Sequence, residues 1–280
     1  MRIALAGLDS SRPVRIARHL ATLGPAGHGL TAIAAAGQTP SAELQAVLHP
    51  DVQVVDGVGD LIGLADAVLE FGRAAGERVT RVLPLLDACV PVLVDKPLAL
   101  TRDAAALMAD RAQRSGVALL ADSGYRTAPA LAPLVLEAQG PAGSQPVLRI
   151  SGPADPRSPW GGLAFYGSHH AQILQELRPE ALATTEALDV RRDPAGNGVQ
   201  VQAGSSVQLR FTEPEVSDGF TVAIGGRSVS LAPAPDYLER LIDRFLAECA
   251  APRYDEQWRR RLVEPVALLE RITEKLPRLP

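Results

Sequence analysis

Apolar and polar positions alternate in two kinds of block along the first 122 residues. Short runs of small and β-branched apolar residues are followed by longer stretches with apolar positions three or four apart. Arg2–Ala6 (RIALA) reads as a strand and Gly7-Leu8-Asp9-Ser10-Ser11 as a turn. Val14, Ala17, Leu20 and Ala21 then share one face of a helix over Arg12–Leu23, with Ser10 or Ser11 as its cap and Pro13 in its first turn. Further strands are predicted over Leu30–Ala35, Val52–Val55, Asp66–Leu69, Val92–Val94 and Val117–Leu120. Between them fall a small helix over Gly59–Leu64, a helix over Arg78–Ala88 that Pro84 would kink or delay, and a helix over Arg102–Ser115. This strand–helix alternation predicts an α/β unit, a parallel, doubly wound, Rossmann-like sheet.

The rhythm changes after residue 122. A helix is predicted over Pro129–Ala138, then a Gly/Pro-rich connection (QGPAGSQP), a strand over Val147–Ser151 and a helix over Tyr166–Leu177. Strands with little helix between them follow: Glu186–Arg191, Val199–Gln202, Val207–Phe211, Thr221–Ile224 and Ser228–Leu231. Gly225-Gly226 suits a tight hairpin between the last two. This is the pattern of an α+β domain with an open, mostly antiparallel sheet. The tail carries two apolar helical stripes, Tyr237, Leu238, Leu241, Ile242 and Phe245, then Leu262, Val266, Leu269 and Ile272, both read as core. The expected division is residues 1–122 and 123–280.

Composition narrows the function classes. With 46% hydrophobic and 21% charged residues the 280-residue chain reads as globular, and with 4% aromatics its core must be built from Ala, Val and Leu. A net charge of −4 argues against nucleic acid as a partner. No apolar run approaches a membrane span, and MRIALAGLDSSR lacks the form of a signal peptide. Cys89 and Cys249 make no disulfide framework, and no Cys, His or acidic cluster has metal-ligand spacing. A cytoplasmic protein acting on a small molecule is expected.

The candidate chemistry centres on VPVLVDKPLALT, residues 90–101. Open α/β sheets bind ligands beyond the carboxyl ends of their strands. Lys96 follows such a strand directly, and Pro97 favours an extended backbone for it. Charge plus proline is also a common way to end any strand. In the first turn, a dinucleotide fingerprint would place glycines at 7, 9 and 12, but the chain has Gly7, Asp9 and Arg12. Asp9 brings a negative charge to a diphosphate, which Arg12, Ser10 and Ser11 can offset with hydrogen bonds at a helix N-terminus. The turn is equally readable as a plain connection. Arg126 can clamp an anion or tie two domains together. Trp160 is a pocket wall or a surface-packing residue, and His169 and His170 are site residues or satisfy loop backbone groups.

Three stretches, taken in order, resemble the Gfo/Idh/MocA family of nicotinamide-dependent oxidoreductases. They are Asp66-Ala67-Val68 with the following helix and VPVLVDKPLALT; Gly124-Tyr125-Arg126-Thr127-Ala128-Pro129; and Gly161-Gly162-Leu163-Ala164-Phe165-Tyr166-Gly167-Ser168-His169. Asp95 stands where the family has Glu before Lys-Pro. The resemblance implies a hydroxyl/carbonyl oxidoreductase acting on a sugar, polyol or related small molecule with NAD or NADP. Lys96 would polarise the substrate oxygen and His169 relay the proton. Gly7, Leu8, Asp9, Ser10, Ser11, Arg12 and Lys96 would hold cofactor, and Arg126, Tyr166, His170 and Trp160 would line the substrate site.

The chain departs from the family at Phe165 and Gln172, where acidic residues are usual four before and three after the histidine. Tyr166 and His170 are candidates to compensate. Neither an acid nor an arginine after the second strand chooses between NAD and NADP. The resemblance also implies a homodimer or larger assembly through the open sheet. A non-catalytic relative acting as a ligand-binding, regulatory or scaffold protein is the alternative. A non-redox enzyme ranks last, because no nucleophile or metal cluster is visible.

Overall fold

β1 (Arg2–Ala6) is buried from Ile3 onward, as expected for a strand at the centre of a sheet covered on both faces. In the computed structural model, which describes residues 1–24, 27–138, 145–183, 188–193 and 198–276, it is flanked by β2 (Gly29–Ala34) and β4 (Ala67–Glu70). β3 (Gln53–Val55), β5 (Val92–Val94) and β6 (Leu119–Leu120) complete the sheet in the order β3-β2-β1-β4-β5-β6, with every pairing parallel. That order reverses at β1/β4, where a doubly wound sheet opens its ligand crevice.

α1 (Arg12–Thr22), the short α2 (Ala42–Gln45), α3 (Arg78–Asp87) and α4 (Arg102–Ser115) supply the crossovers. α3 runs through Pro84 from the expected start, so the proline does not delay it. The small helix expected over Gly59–Leu64 is a single 3-10 turn, Val58–Leu61.

α5 (Ala132–Ala138), β7 (Leu148–Pro153), α6 (Leu163–Leu177) and the short α7 (Glu180–Ala183) come next. β8 (Leu188–Arg192), β9 (Gly198–Ala203), β10 (Val207–Thr212), β11 (Phe220–Ile224) and β12 (Arg227–Leu231) join β7 in the order β12-β11-β7-β10-β9-β8. The β7–β10 pair is parallel and the other pairings are antiparallel. Gly225 and Gly226, both with positive φ, make the expected hairpin between β11 and β12. Most of the connection expected over 139–146, and the start of the strand expected from Glu186, lie outside the described residues.

The tail does more than fill the second core. α8 (Tyr237–Ala250) sends Leu238, Ile242, Phe245 and Leu246 into one cluster with Ile3, Leu5 and Leu69 of the first sheet. Arg15 of α1 reaches Glu239 at 2.6 Å, and His19 reaches Asp243 at 2.7 Å. α9 (Glu256–Lys275) places Leu262, Val263 and Val266 on the opposite face of the first sheet, and Leu268, Leu269 and Ile272 in the core of the second. α9 therefore bridges the two sheets, and α8 closes one side of the crevice. Among the described residues no helix is long and apolar enough to cross a membrane.

Candidate active site

Lys96 stands two residues past β5, as the strand-end rule predicts, and the Lys96–Pro97 peptide is cis. Its side chain is buried. Nζ donates to the Phe165 carbonyl of α6 at 2.8 Å and lies 4.3 Å from the Phe165 ring and 5.1 Å from the Tyr166 ring. The aromatic faces favour a cation, but burial dominates. Aided by Arg12, Arg78 and Arg73 and opposed by Asp95, it pushes the Lys96 amine down to about 8.

The neighbours of Lys96 are rigidly held. Arg78, fully buried, bonds the Gly72 carbonyl at 2.6 Å, the Pro97 carbonyl, and Glu70 at 3.3 Å. It thereby ties the loop after β4 to the loop after β5. Asp95 pairs with Arg12 from the first turn of α1. Burial alone would raise the Asp95 carboxyl, but Arg12, Lys96 and Arg78 outweigh it and hold the group below the usual carboxylate value.

His169 faces Lys96 across the crevice. α6 begins at Leu163, three residues earlier than predicted, so His169 lies in its second turn rather than at its start. Its Nδ1 is 2.6 Å from Ser123 Oγ, and its ring meets Tyr125 edge-on at 4.9 Å. Burial, then the positive charge of Lys96, holds His169 well below the ordinary histidine value, so the ring is neutral at pH 7. Arg12, Asp95, Lys96, Ser123, Tyr125, His169 and Tyr237 line a cavity of about 210 Å³. This is smaller than the roughly 300–1,000 Å³ of typical ligand pockets.

The β1–α1 turn keeps Gly7 of the fingerprint and carries Asp9 and Arg12 at the other two glycine places. Gly7 has φ +84°, and a Cβ there would lie 2.0 Å from the Gly72 nitrogen, so only glycine lets the two loops pass. The Asp9 carboxylate accepts from the Arg73 amide at 3.1 Å, which gives its charge a partner on the loop rather than on a ligand. Ser11 is the N-cap of α1 but makes no side-chain capping bond. The Arg12 amide has only a long contact, 3.4 Å, to Ser10 Oγ. The helix N-terminus thus keeps unsatisfied donors for an anion, with the Ser10 and Ser11 hydroxyls beside them. Leu8 is half-buried and packs against the α1 side of the sheet.

Tyr166 stands beside Lys96 and His169, its ring 6.3 Å from that of His169. Trp160 sits at the junction of the two sheets. Its carbonyl accepts from the Ala75 amide at 3.2 Å, and the Arg73 guanidinium lies 5.6 Å from its ring centre. His170 is not brought to the crevice. It points to the second sheet, reaches the Arg210 carbonyl at 3.1 Å and packs on Phe211 and Phe220, and burial pushes it down to about 4. Arg126 is buried beneath the crevice and fully engaged. It meets Asp122 at 2.8 Å, Glu176 at 2.6 Å and Gln175 at 2.6 Å. Of its two possible roles, the tie between domains is the one its contacts serve.

Sequence reading passed over Ser123, Phe71 and Tyr237. Ser123 stands at the carboxyl end of a parallel strand, where the rule that picked out Lys96 applies equally. Phe71, just past β4, carries Arg12 over its ring at 5.7 Å. Tyr237 comes from a distant helix, and no local pattern could place it there. Among the described residues no group of three or more His, Cys, Asp and Glu side chains is placed to hold a metal ion.

By sequence the chain matches no protein-family model and no curated protein. By structure it is similar to a Gfo/Idh/MocA family oxidoreductase from Vibrio cholerae, at TM-score 0.73 and 16% identity over 99% of this chain and 98% of that one. It is similar to the WlbA dehydrogenase from Thermus thermophilus, solved with NAD and UDP-GlcNAcA, at TM-score 0.69 and 17% identity over 100% and 95% of the two chains. It is also similar to KijD10, a 3-ketoreductase from Actinomadura kijaniata solved with TDP-benzene and NADP, at TM-score 0.69 and 15% identity over 96% of each. The strand orders, the two sheets and these near-full-length superpositions agree: this chain has the fold of the Gfo/Idh/MocA oxidoreductases.

Proposed function

We propose that this protein is a divergent Gfo/Idh/MocA oxidoreductase that interconverts a hydroxyl and a carbonyl on a sugar, polyol or related small molecule with NAD or NADP. The observation that carries the reading is Lys96. It is a buried amine, pushed down to about 8, at the carboxyl end of β5 and opposite His169 in a fold whose solved neighbours bind nicotinamide cofactors. An amine in that range can hold or release a proton near neutral pH, which is what acid–base work on an alcohol requires.

Bound nicotinamide would supply the hydride exchange with the substrate carbon. The residues of this chain do the rest. The α1 amides, Ser10, Ser11 and Arg12 would hold the diphosphate. Lys96 hydrogen-bonds the substrate oxygen, and His169 approaches from the facing helix. Tyr125 and Phe165 exclude water around them. The small cavity favours a compact substrate over a nucleotide-linked one.

Binding of NADH and NADPH to the purified protein tests the reading. Micromolar affinity for one of them is expected by calorimetry, together with quenching of tryptophan fluorescence. Trp160 packs against Arg73 of the loop after β4, close to the β1–α1 turn that Arg73 contacts through Asp9, whereas Trp258 on α9 bonds the Leu119 carbonyl. The quenching should therefore survive W258F and vanish in W160F. Folded protein that binds neither nucleotide, reduced or oxidised, would overturn the reading.

The second sheet supports a further part of the proposal, a homodimer or larger assembly. The face away from α5 and α6 presents Arg149, Gln200, Gln202, Gln208 and Arg210 around a groove of about 410 Å³. A dimer mass is expected by light scattering, and a monomer at all concentrations would refute it.

A further inference from the structure

His169 and Gln172 stand three residues apart on α6 and so share one face of it. Both reach the same short segment at the end of β6. Gln172 Oε1 accepts from the Ser123 amide at 2.7 Å, and its Nε2 donates to the Ala121 carbonyl at 3.2 Å. An amide side chain can do both. A carboxylate could accept from the Ser123 amide but would have no hydrogen for Ala121. The glutamine at a usually acidic place therefore acts as a clamp on the Ser123 segment.

Ser123 in turn holds His169. Its Oγ accepts from the Tyr125 amide at 3.1 Å and lies 2.6 Å from His169 Nδ1. A hydroxyl has one hydrogen to give. Among the described residues, His169 Nδ1 is the acceptor placed to receive it. Were Nδ1 itself protonated, the Ser123 hydrogen would be left without a partner on a side chain only 4% exposed. Leaving a buried polar group unsatisfied costs about 1–3 kcal/mol. No carboxylate offsets this choice at the ring. Phe165 replaces the usual acid, and Asp122 is committed to Arg126, Arg244 and Arg261.

We infer that Ser123, held in place by Gln172, fixes His169 as the neutral tautomer with its hydrogen on Nε2. Ser123 and Gln172 are positioning residues, and His169 presents an N–H donor rather than a basic nitrogen to the cavity it lines. On the oxidoreductase reading, His169 then orients the substrate oxygen, and the proton goes elsewhere. In alcohol oxidation the O–H bond breaks and its proton is taken up by the neutral amine of Lys96, while an oxidised nicotinamide, when bound, would accept the C–H hydride. The new C=O keeps its hydrogen bond from His169.

The tautomer is read directly by nitrogen-15 NMR of the five histidines in labelled protein with nothing added. His169 is assigned by its loss in H169Q. Between pH 6 and 8 the wild type should show protonated Nε2 and bare Nδ1, with no titration. S123T should keep that signature. S123A and Q172E should mix the two tautomers while holding the native circular dichroism. A wild-type His169 protonated on Nδ1 would overturn the inference, whether or not any variant folds. So would an S123A spectrum identical to the wild type. The spectrum is taken without nucleotide, so a protein that binds no NAD or NADP can still satisfy it, and the two readings fail separately.

Discussion

Lys96→Met will lower the rate of alcohol oxidation by about 10²–10⁴-fold, the usual contribution of a positioned acid–base group. Methionine keeps an unbranched side chain of similar reach towards the Phe165 and Tyr166 rings, so the loss reports the amine rather than its packing. In the wild type the same group sets the pH profile. Oxidation needs the neutral amine, so the rate should climb with pH and level off above about 8. The variant should lose that rise along with its activity. An unchanged turnover, or a wild-type profile flat between pH 7 and 9, would remove Lys96 from the reaction.

The same amine makes a stability prediction of opposite character. Its folded value, about 8, lies below the ordinary 10.5. Below pH 8 the lysine is charged in both states, and burying that charge opposes folding. Between pH 8 and 10.5 the folded protein has lost the proton while the unfolded chain retains it, so stability rises with pH. The rise amounts to roughly 3 kcal/mol at 1.36 kcal/mol per pH unit. Urea unfolding across this range should show it in the wild type relative to Lys96→Met.

Asp122→Asn will destabilise the protein by about 3–5 kcal/mol, the cost of breaking a buried ion pair from one side. Asp122 is the common partner of Arg126 at 2.8 Å, Arg244 at 2.7 Å and Arg261 at 3.2 Å. Those arginines come from the turn after β6, from α8 and from α9, so one carboxylate joins the first sheet to both of these helices. An asparagine leaves Arg126, 5% exposed, with Glu176 and Gln175 but without its counter-charge at Asp122. Burial by itself would raise the Asp122 carboxyl, but Arg126, Arg261 and Arg244 prevail and hold it below its ordinary 3.8. Its contribution is therefore full above about pH 4 and lost as the pH falls further. Denaturant unfolding at pH 7 measures the difference, and a loss under about 1 kcal/mol, the scale of an exposed pair, would show the cluster to be dispensable.

Much of the fold is legible in local pattern. Short apolar runs, separated by segments of helical period, are enough to place β1 through β6. The glycine pair at 225–226 is enough to turn β11 into β12. Lys96 could be singled out because strand ends in such sheets face the crevice whatever their neighbours. His169 followed only from resemblance, and its contact with Ser123 joins residues 46 apart in sequence. Asp9 looked hostile to a diphosphate because its partner, the Arg73 amide, is 64 residues away.

Sequence by itself determined the two sheets, their order along the chain and the lysine at the end of β5. These depend on periodicity and on residue types within a few positions of each other. Tertiary structure decided the rest. It turned His170 towards the second sheet, committed Arg126 to Asp122 and Glu176, and brought α8 and α9 back over the first sheet. It also set Gln172 and Ser123 around His169. Most of these contacts join segments tens of residues apart. The side chains carry the chemistry, but only the packing of α6 against the end of β6 decides which partner each one meets.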